Sequence, residues 1–216
     1  MVISDQPRGD VVKAVGLVSG GLDSALAVKI LTDIGVDVTV VTFVMPWGDR
    51  EPLQVQALAR QLGVPLKVFA LGEDYLEMLQ HPCYGYGAAF NPCMDCHLFM
   101  MKKAAQYMRE VGAEFLFTGE VLGQRSMSQR RACLNVLEKA AGLEGRLLRP
   151  LSAGLLAPTI PEQDGRVDRG RLLGLSGKGR QAQFALAKQW GITAFSPPGG
   201  GCLLTEGPFG RKMKDF

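Results

Sequence analysis

Two groups of residues in this chain have the types and spacing to do chemistry. The first is Ser19-Gly20-Gly21-Leu22-Asp23-Ser24. An apolar run, Val11 to Val18, leads into it as a buried strand, and an amphipathic run, Ala25 to Ile34, leads out as a helix. Paired glycines let the backbone turn tightly with its N–H groups facing inward. The helix start adds roughly half a positive charge, so the turn suits an anion, phosphate above all. No Gly-Lys-Ser/Thr follows, which excludes the Walker loop. The glycine spacing of a dinucleotide fingerprint is missing as well.

The second group is cysteine. Asn91-Pro92-Cys93-Met94-Asp95-Cys96-His97 sets two thiols three residues apart at a helix start, where both can face one point and the helix terminus favours thiolates. Cys202 follows Pro197-Pro198-Gly199-Gly200-Gly201, small residues that admit a bulky group, and lies 106 residues beyond Cys96. Three such cysteines could hold three irons of a cubane cluster and leave the fourth iron open. Zinc is the second choice and needs further ligands, with Cys202, His97 and the His81/Cys83 pair as candidates. Dithiol redox chemistry uses the same spacing. Cys133 reads as core, and Cys83, within His81 to Gly87, as a loop thiol or a spare sulfur carrier.

Positioning these groups requires a layered α/β fold. Strands are expected at 36–44, 65–71 and 114–118, and helices at 52–62, 74–80 and 94–111, in alternation. That order argues for a parallel sheet covered by helices on both faces, with the glycine loop at its carboxyl edge. The second half is less regular: helices are expected over 128–141 and 177–190, and residues 150–170 read as a long loop. The reading is of one domain over 1–216 whose part from about 121 onward is irregular and basic.

Charge divides the chain. Residues 1–120 hold 9 Lys/Arg against 14 Asp/Glu, a net of −5, and residues 121–216 hold 15 against 7, a net of +8. A basic half suits a polyanion, with Arg169, Arg171, Lys178 and Arg180 placed to follow an RNA backbone and Arg166 just before them. No apolar run spans a membrane, and Met1 to Asp10 lacks a signal peptide's apolar stretch, so the cytoplasm is expected. Five cysteines there suggest metal or redox chemistry rather than disulfides. The ending, Phe209 to Phe216, looks interrupted.

The pattern Ser-Gly-Gly-x-Asp-Ser resembles the loop of the PP-loop ATP pyrophosphatase superfamily, whose Rossmann-like fold is of the adenine-nucleotide alpha-hydrolase type. The resemblance implies that Ser19, Gly20, Gly21 and Ser24 hold the phosphates of ATP and that Asp23 helps place Mg²⁺. It implies that adenine is read around Phe43 to Met45, at the end of the second strand. Thr118-Gly119-Glu120 resembles a Thr-Gly-His element that closes over ATP, with Glu in place of His, and Arg125 follows within reach of phosphates or tRNA. The cysteines resemble those of PP-loop tRNA thiolases. The 2-thiouridylase branch reads Asn-Pro-Asp-x-x-Cys, so Cys96 matches and Cys93 stands where Asp is usual. In that respect the chain is similar to the iron–sulfur branch, with Cys93, Cys96 and Cys202 as ligands of a [4Fe–4S] cluster. The resemblance spans Val11 to Leu204.

Such an enzyme adenylates a nucleobase carbonyl oxygen, releases pyrophosphate, and lets sulfur displace AMP. The expected catalytic residues are Asp23, Cys96 and Cys202; the expected partners are tRNA and a sulfur donor, either sulfide or a persulfide carrier. A homodimer is compatible with this reading. Uridine is the favoured base and 4-thiouridine the favoured product. Rival readings are an ATP-dependent ligase or amidotransferase for a small molecule, a sulfur transferase acting on a small cofactor, and a metal or nucleotide sensor.

Overall fold

Alternating side chains in five short strands send one set of apolar residues to each face of a sheet, which helices then cover. The computed structural model describes residues 11–48, 52–87, 90–125, 128–196, 202–206 and 208. Strands β1 (Lys13–Leu17), β2 (Asp37–Val44), β3 (Leu66–Ala70), β4 (Phe115–Thr118) and β5 (Leu147–Leu148) pair in the order β3-β2-β1-β4-β5, all parallel. The described α-helices are α1 (Leu22–Asp33), α2 (Leu53–Leu62), α3 (Glu73–Gln80), α4 (Cys93–Glu110), α5 (Arg131–Ala140), α6 (Ile160–Gln163) and α7 (Gln181–Gln189).

Ala14, Val38, Val40, Phe115 and Phe117 point to one face and meet Leu26 and Leu31 of α1, Leu58 of α2 and Ala187 of α7. Val15, Val41, Leu116 and Leu147 point to the other and meet Met101, Ala104 and Met108 of α4 and Leu137 of α5. A third cluster joins Leu71, Tyr75, Leu79, Cys96 and Leu204 beyond the end of β3. The parallel sheet with helices on both faces is the fold read from the sequence.

Differences concentrate in the second half. The helix expected over 128–141 begins at Arg131, and that over 177–190 contracts to α7, because Gly177 adopts φ +84 and breaks the helical path. Residues 150–170 are not a plain loop. They hold a 3₁₀ turn at Ala153–Leu155, then α6 with a capping box between Thr159 and Glu162, then the start of a second 3₁₀ turn at Arg169–Arg171. Leu151, Ala153 and Val167 from this region are buried in the same core as α1. β5 went unseen because two residues carry no alternation to read. No helix among the described residues is long and apolar enough to cross a membrane.

Candidate functional site: a nucleotide cradle and a cysteine centre

β1 ends at Leu17, and Val18 N–H still bonds to Val41 O at 2.9 Å, so the glycine loop leaves the sheet beside the end of β2. Gly20 takes φ +78, a conformation L-residues rarely adopt. Its carbonyl accepts the Ser196 N–H at 2.7 Å, and Gly21 bridges Ser196 as a short parallel pair. α1 then starts at Leu22, three residues earlier than expected, which puts Asp23 and Ser24 in its first turn. No side chain caps that turn, so its amides remain for an anion. Ser19 is exposed at the mouth, whereas the buried Ser24 hydroxyl donates to Gly21 O at 2.8 Å. Ser24 therefore braces the loop from within.

Asp23 is the acid of this site. Its Oδ2 accepts Gln124 Nε2 at 2.6 Å and stands 3.9 Å from an Arg180 guanidinium nitrogen. Its Oδ1 is buried and has no hydrogen-bond partner. A buried carboxylate oxygen without a donor is costly to keep. A divalent cation carried in with a nucleotide satisfies it, so the site fits Mg²⁺.

Thr118 and Gly119 lie against this turn. A Cβ on Gly119 would stand 2.5 Å from Ser24 N, so the chain after β4 presses directly on the start of α1. The Thr118 hydroxyl donates to Glu120 Oε2 at 3.1 Å. Glu120, in the place of the resembling element's His, is an internal ion: Arg149 Nε meets Oε2 at 3.1 Å, and His97 Nδ1 lies 3.3 Å from Oε1. Burial alone would raise its carboxyl, yet His97 and Arg149 hold it down at about 2. Phe43 stacks on Phe69 at 5.6 Å between centroids, and Met45 packs beside the third cluster, so their side chains are part of the wall at the end of β2. Arg125 is exposed.

The cysteines gather at the first turn of α4. Because α4 precedes parallel strand β4, that turn lies at the carboxyl edge of the sheet, the edge that carries the glycine loop. The Cys93 thiol donates to Asn91 Oδ1 at 3.0 Å. Cys96 Sγ is 3.2 Å from the Tyr75 hydroxyl, in an aromatic surround where Tyr75 also meets Trp47 and Phe99. Asp95, between them, is buried and accepts the Cys83 and Tyr84 N–H groups at 2.8 and 3.0 Å. It thereby pins the Cys83 loop to α4, a role the sequence did not signal. Leu204, 1% exposed, packs in the cluster of Tyr75 and Cys96 and so delivers the exposed Cys202 to the same neighbourhood.

Burial pushes the Cys96 thiol up to about 12; the Tyr75 hydrogen bond opposes this, while the charges of Cys202, Cys93 and Asp95 add to it. Burial thus works against the helix terminus at Cys96 and favours the protonated form. Burial, then Cys96, raises Tyr75 too, with Cys202 and Cys93 contributing. Among the described residues no three His, Cys, Asp or Glu side chains stand at metal-binding spacing. Cysteine sulfur is the donor type that a cluster or zinc takes, but the three cysteines do not stand at that spacing here. Of the other zinc candidates, His97 faces Glu120 and His81 is an exposed residue at the end of α3.

The basic residues divide. Arg169 turns inward: it pairs with Glu162 and donates to Ala153 O and Leu156 O at 2.7 and 2.9 Å. Arg166 is held by Asp164 and Glu114. Both guanidinium groups are thus paired within the chain, Arg166 at the surface and Arg169 half-buried. Arg171 and Lys178 are exposed, and Arg180 caps α7 beside Asp23. The surface depressions with volumes near 130 and 150 Å³ lie at the amino ends of the strands, away from both centres.

Comparison with known proteins agrees with this geometry. The chain is 27% identical over 207 residues to the tRNA-specific 2-thiouridylase MnmA of Roseiflexus sp. (strain RS-1), covering 86% of this chain and 56% of that protein. It is 28% identical over 150 residues to the "Probable tRNA sulfurtransferase" of Thermococcus kodakarensis (strain ATCC BAA-918 / JCM 12380 / KOD1), covering 67% and 38%. The chain thus spans from about a third to just over half the length of these relatives. A solved 4-thiouridine synthetase–RNA complex with bound ATP shares the fold, with TM-score 0.61, 22% identity, 94% of this chain and 50% of that one covered. Residues 9–154, from before β1 through the Ala153 turn, match the family described as Thiamine biosynthesis protein (ThiI), and the chain belongs to that family.

Proposed function

We propose that this chain binds ATP at the Ser19–Ser24 turn and activates a tRNA nucleobase for replacement of oxygen by sulfur. The observation that carries the reading is a tether. Ser196 is bonded to Gly20 in the phosphate turn, and Cys202 follows six residues later. Six residues reach at most about 20 Å, so the nucleotide loop and the cysteine centre belong to one site. Relatives named as tRNA thiolases support the choice of substrate.

In this reading the α1 amides, Gly20 and Gly21 receive the phosphates, and Thr118 and Gly119 close the turn from behind. Asp23 holds Mg²⁺, which supplies positive charge to the phosphates. Arg125 and Arg180 add charge at the rim, and the end of β2 around Phe43 and Met45 receives adenine. A carbonyl oxygen of uridine, with 4-thiouridine as the product, attacks the α-phosphorus and pyrophosphate leaves. Sulfur then bonds to the activated carbon as AMP departs with the former carbonyl oxygen. Cys93, Cys96 and Cys202 would hold a [4Fe–4S] cluster, which supplies an iron with an open position for sulfide. Arg171, Lys178 and Arg180 face the RNA. The domain assignment is one nucleotide-binding unit over 1–216, acting in the cytoplasm.

Mass spectrometry of tRNA nucleosides from a deletion strain tests the substrate: a thionucleoside should vanish, and an unchanged profile would favour a small-molecule substrate. Anaerobic purification tests the cluster: brown protein is expected for the native chain and colourless protein for Cys202→Ala. A colourless, zinc-loaded native protein sinks the cluster.

A further inference from the structure

We infer that Gln183, in the first turn of α7 and far from the phosphate turn in sequence, is a positioning residue for the Asp23 carboxylate, acting through Gln124. The inference rests on the reading of Asp23 as the holder of Mg²⁺.

Gln183 is 1% exposed. Burying a primary amide is costly unless its groups are bonded. Its Nε2 donates to Gln124 Oε1 at 3.1 Å, and Gln124 Nε2 donates to Asp23 Oδ2 at 2.6 Å. The chain has only one polarity. An ionised carboxylate accepts and cannot donate, so Gln124 must turn its amino group to Asp23 and its carbonyl to α7. Gln183 must then present an amino group. A buried side chain on α7 thus fixes which way the Gln124 amide faces, and that amide fixes one oxygen of Asp23.

What this leaves is the other oxygen. Oδ1 is buried without a partner while Oδ2 is held by Gln124 and approached by Arg180 at 3.9 Å. Anchoring one oxygen of a carboxylate sets the direction of the second and removes the rotation a cation would otherwise have to arrest. Three segments meet in this arrangement: the first turn of α1, the loop after β4 that carries Gln124, and α7. α7 belongs to the basic half, which therefore helps build the nucleotide site as well as facing RNA.

Reversing the polarity tests the relay. In Gln183→Glu the new carboxylate accepts, so Gln124 turns its amino group to it and presents its carbonyl oxygen to Asp23, acceptor against acceptor. Gln183→Leu only removes the donor. ATP binding by the full chain is followed by calorimetry across a magnesium titration, with circular dichroism and melting as controls. The magnesium concentration for half-maximal binding should rise about tenfold in Gln183→Glu, the effect of one hydrogen bond to a charged group, and less in Gln183→Leu. ATP binding without magnesium should not change. A purely structural role would instead lower melting temperature and weaken ATP binding equally at all magnesium concentrations. Asp23→Asn separates the two levels. If it leaves the magnesium dependence unaltered, the Mg²⁺ reading of Asp23 fails. If it shifts the dependence while folded Gln183→Glu and Gln183→Leu match the native protein, only the relay is overturned. Should neither Gln183 variant fold, Gln124→Met, at a half-buried position, is judged by the same criterion.

Discussion

Gly119 shows how closely this site is built at the level of single atoms. A Cβ there would lie 2.5 Å from Ser24 N and 2.6 Å from the Asp23 carbonyl carbon, both backbone atoms that cannot turn aside. Gly119→Ala must therefore move α1 or the end of β4. We expect a loss of about 1–3 kcal/mol, as for other overpacked sites, read as a lower melting temperature. ATP binding should weaken beyond what that loss explains, because the same displacement opens the phosphate turn; unchanged ATP affinity would count against the cradle. Gly16 shows a different restriction, since a Cβ there would strike the Phe117 ring at 2.2 Å. That position guards sheet packing and touches no ligand group, so Gly16→Ala should lower stability without altering magnesium dependence.

Elements are held together here by a buried ionic group. Glu120 follows β4, Arg149 follows β5, Glu138 lies on α5 and His97 on α4, and Arg149 bridges Glu120 and Glu138 at 3.1 and 2.9 Å. The Glu120 carboxyl is held down to about 2 from an ordinary 4.5 despite its burial. A lowered folded-state value means stability that is present above about 4.5 and lost as pH falls toward 2. Glu120→Gln should flatten the acid limb of the stability–pH curve in that window. At neutral pH it should cost about 1.5–3 kcal/mol, because Arg149 loses one charged partner and keeps Glu138. Equal acid sensitivity in native and variant proteins would place the acid-labile group elsewhere. The same network ties the Cys96 helix to the segment behind the nucleotide, so the variant should also disturb the cysteine centre.

At the scale of the whole molecule, charge and fold divide the labour unevenly. The +8 of residues 121–216 suggested a uniform RNA face. Folding instead pairs Arg149, Arg166 and Arg169 with carboxylates and carbonyls, Arg166 doing so at the surface, and leaves Arg171 and Lys178 exposed. Lys178→Ala and Arg171→Ala should each reduce the salt dependence of tRNA binding by about one unit of slope. Arg166→Ala should leave it unchanged. A filter-binding series over salt concentration distinguishes the three; equal losses in all would restore the uniform face.

Much of the site was legible because its signals are local. Two glycines, an acid and a serine between an apolar strand and a helix determine a tight strand-to-helix turn by backbone geometry alone, and period-two and period-3.6 patterns determine the layered parallel sheet. The CxxC at the start of α4 announced itself by spacing. The sequence could not show which donors would meet across the fold. Asp95 reaching Cys83, Glu120 paired with Arg149, and Gln183 steadying Asp23 join residues 11, 12, 29, 59 and 101 positions apart or in steps of those lengths. Such pairings arise only when packing forces buried polar groups to find partners. Composition placed charge in the second half, but tertiary structure decided which charges face water. Cys96 makes the same point: spacing by itself suggested a thiolate, whereas burial beside Tyr75 favours the protonated form.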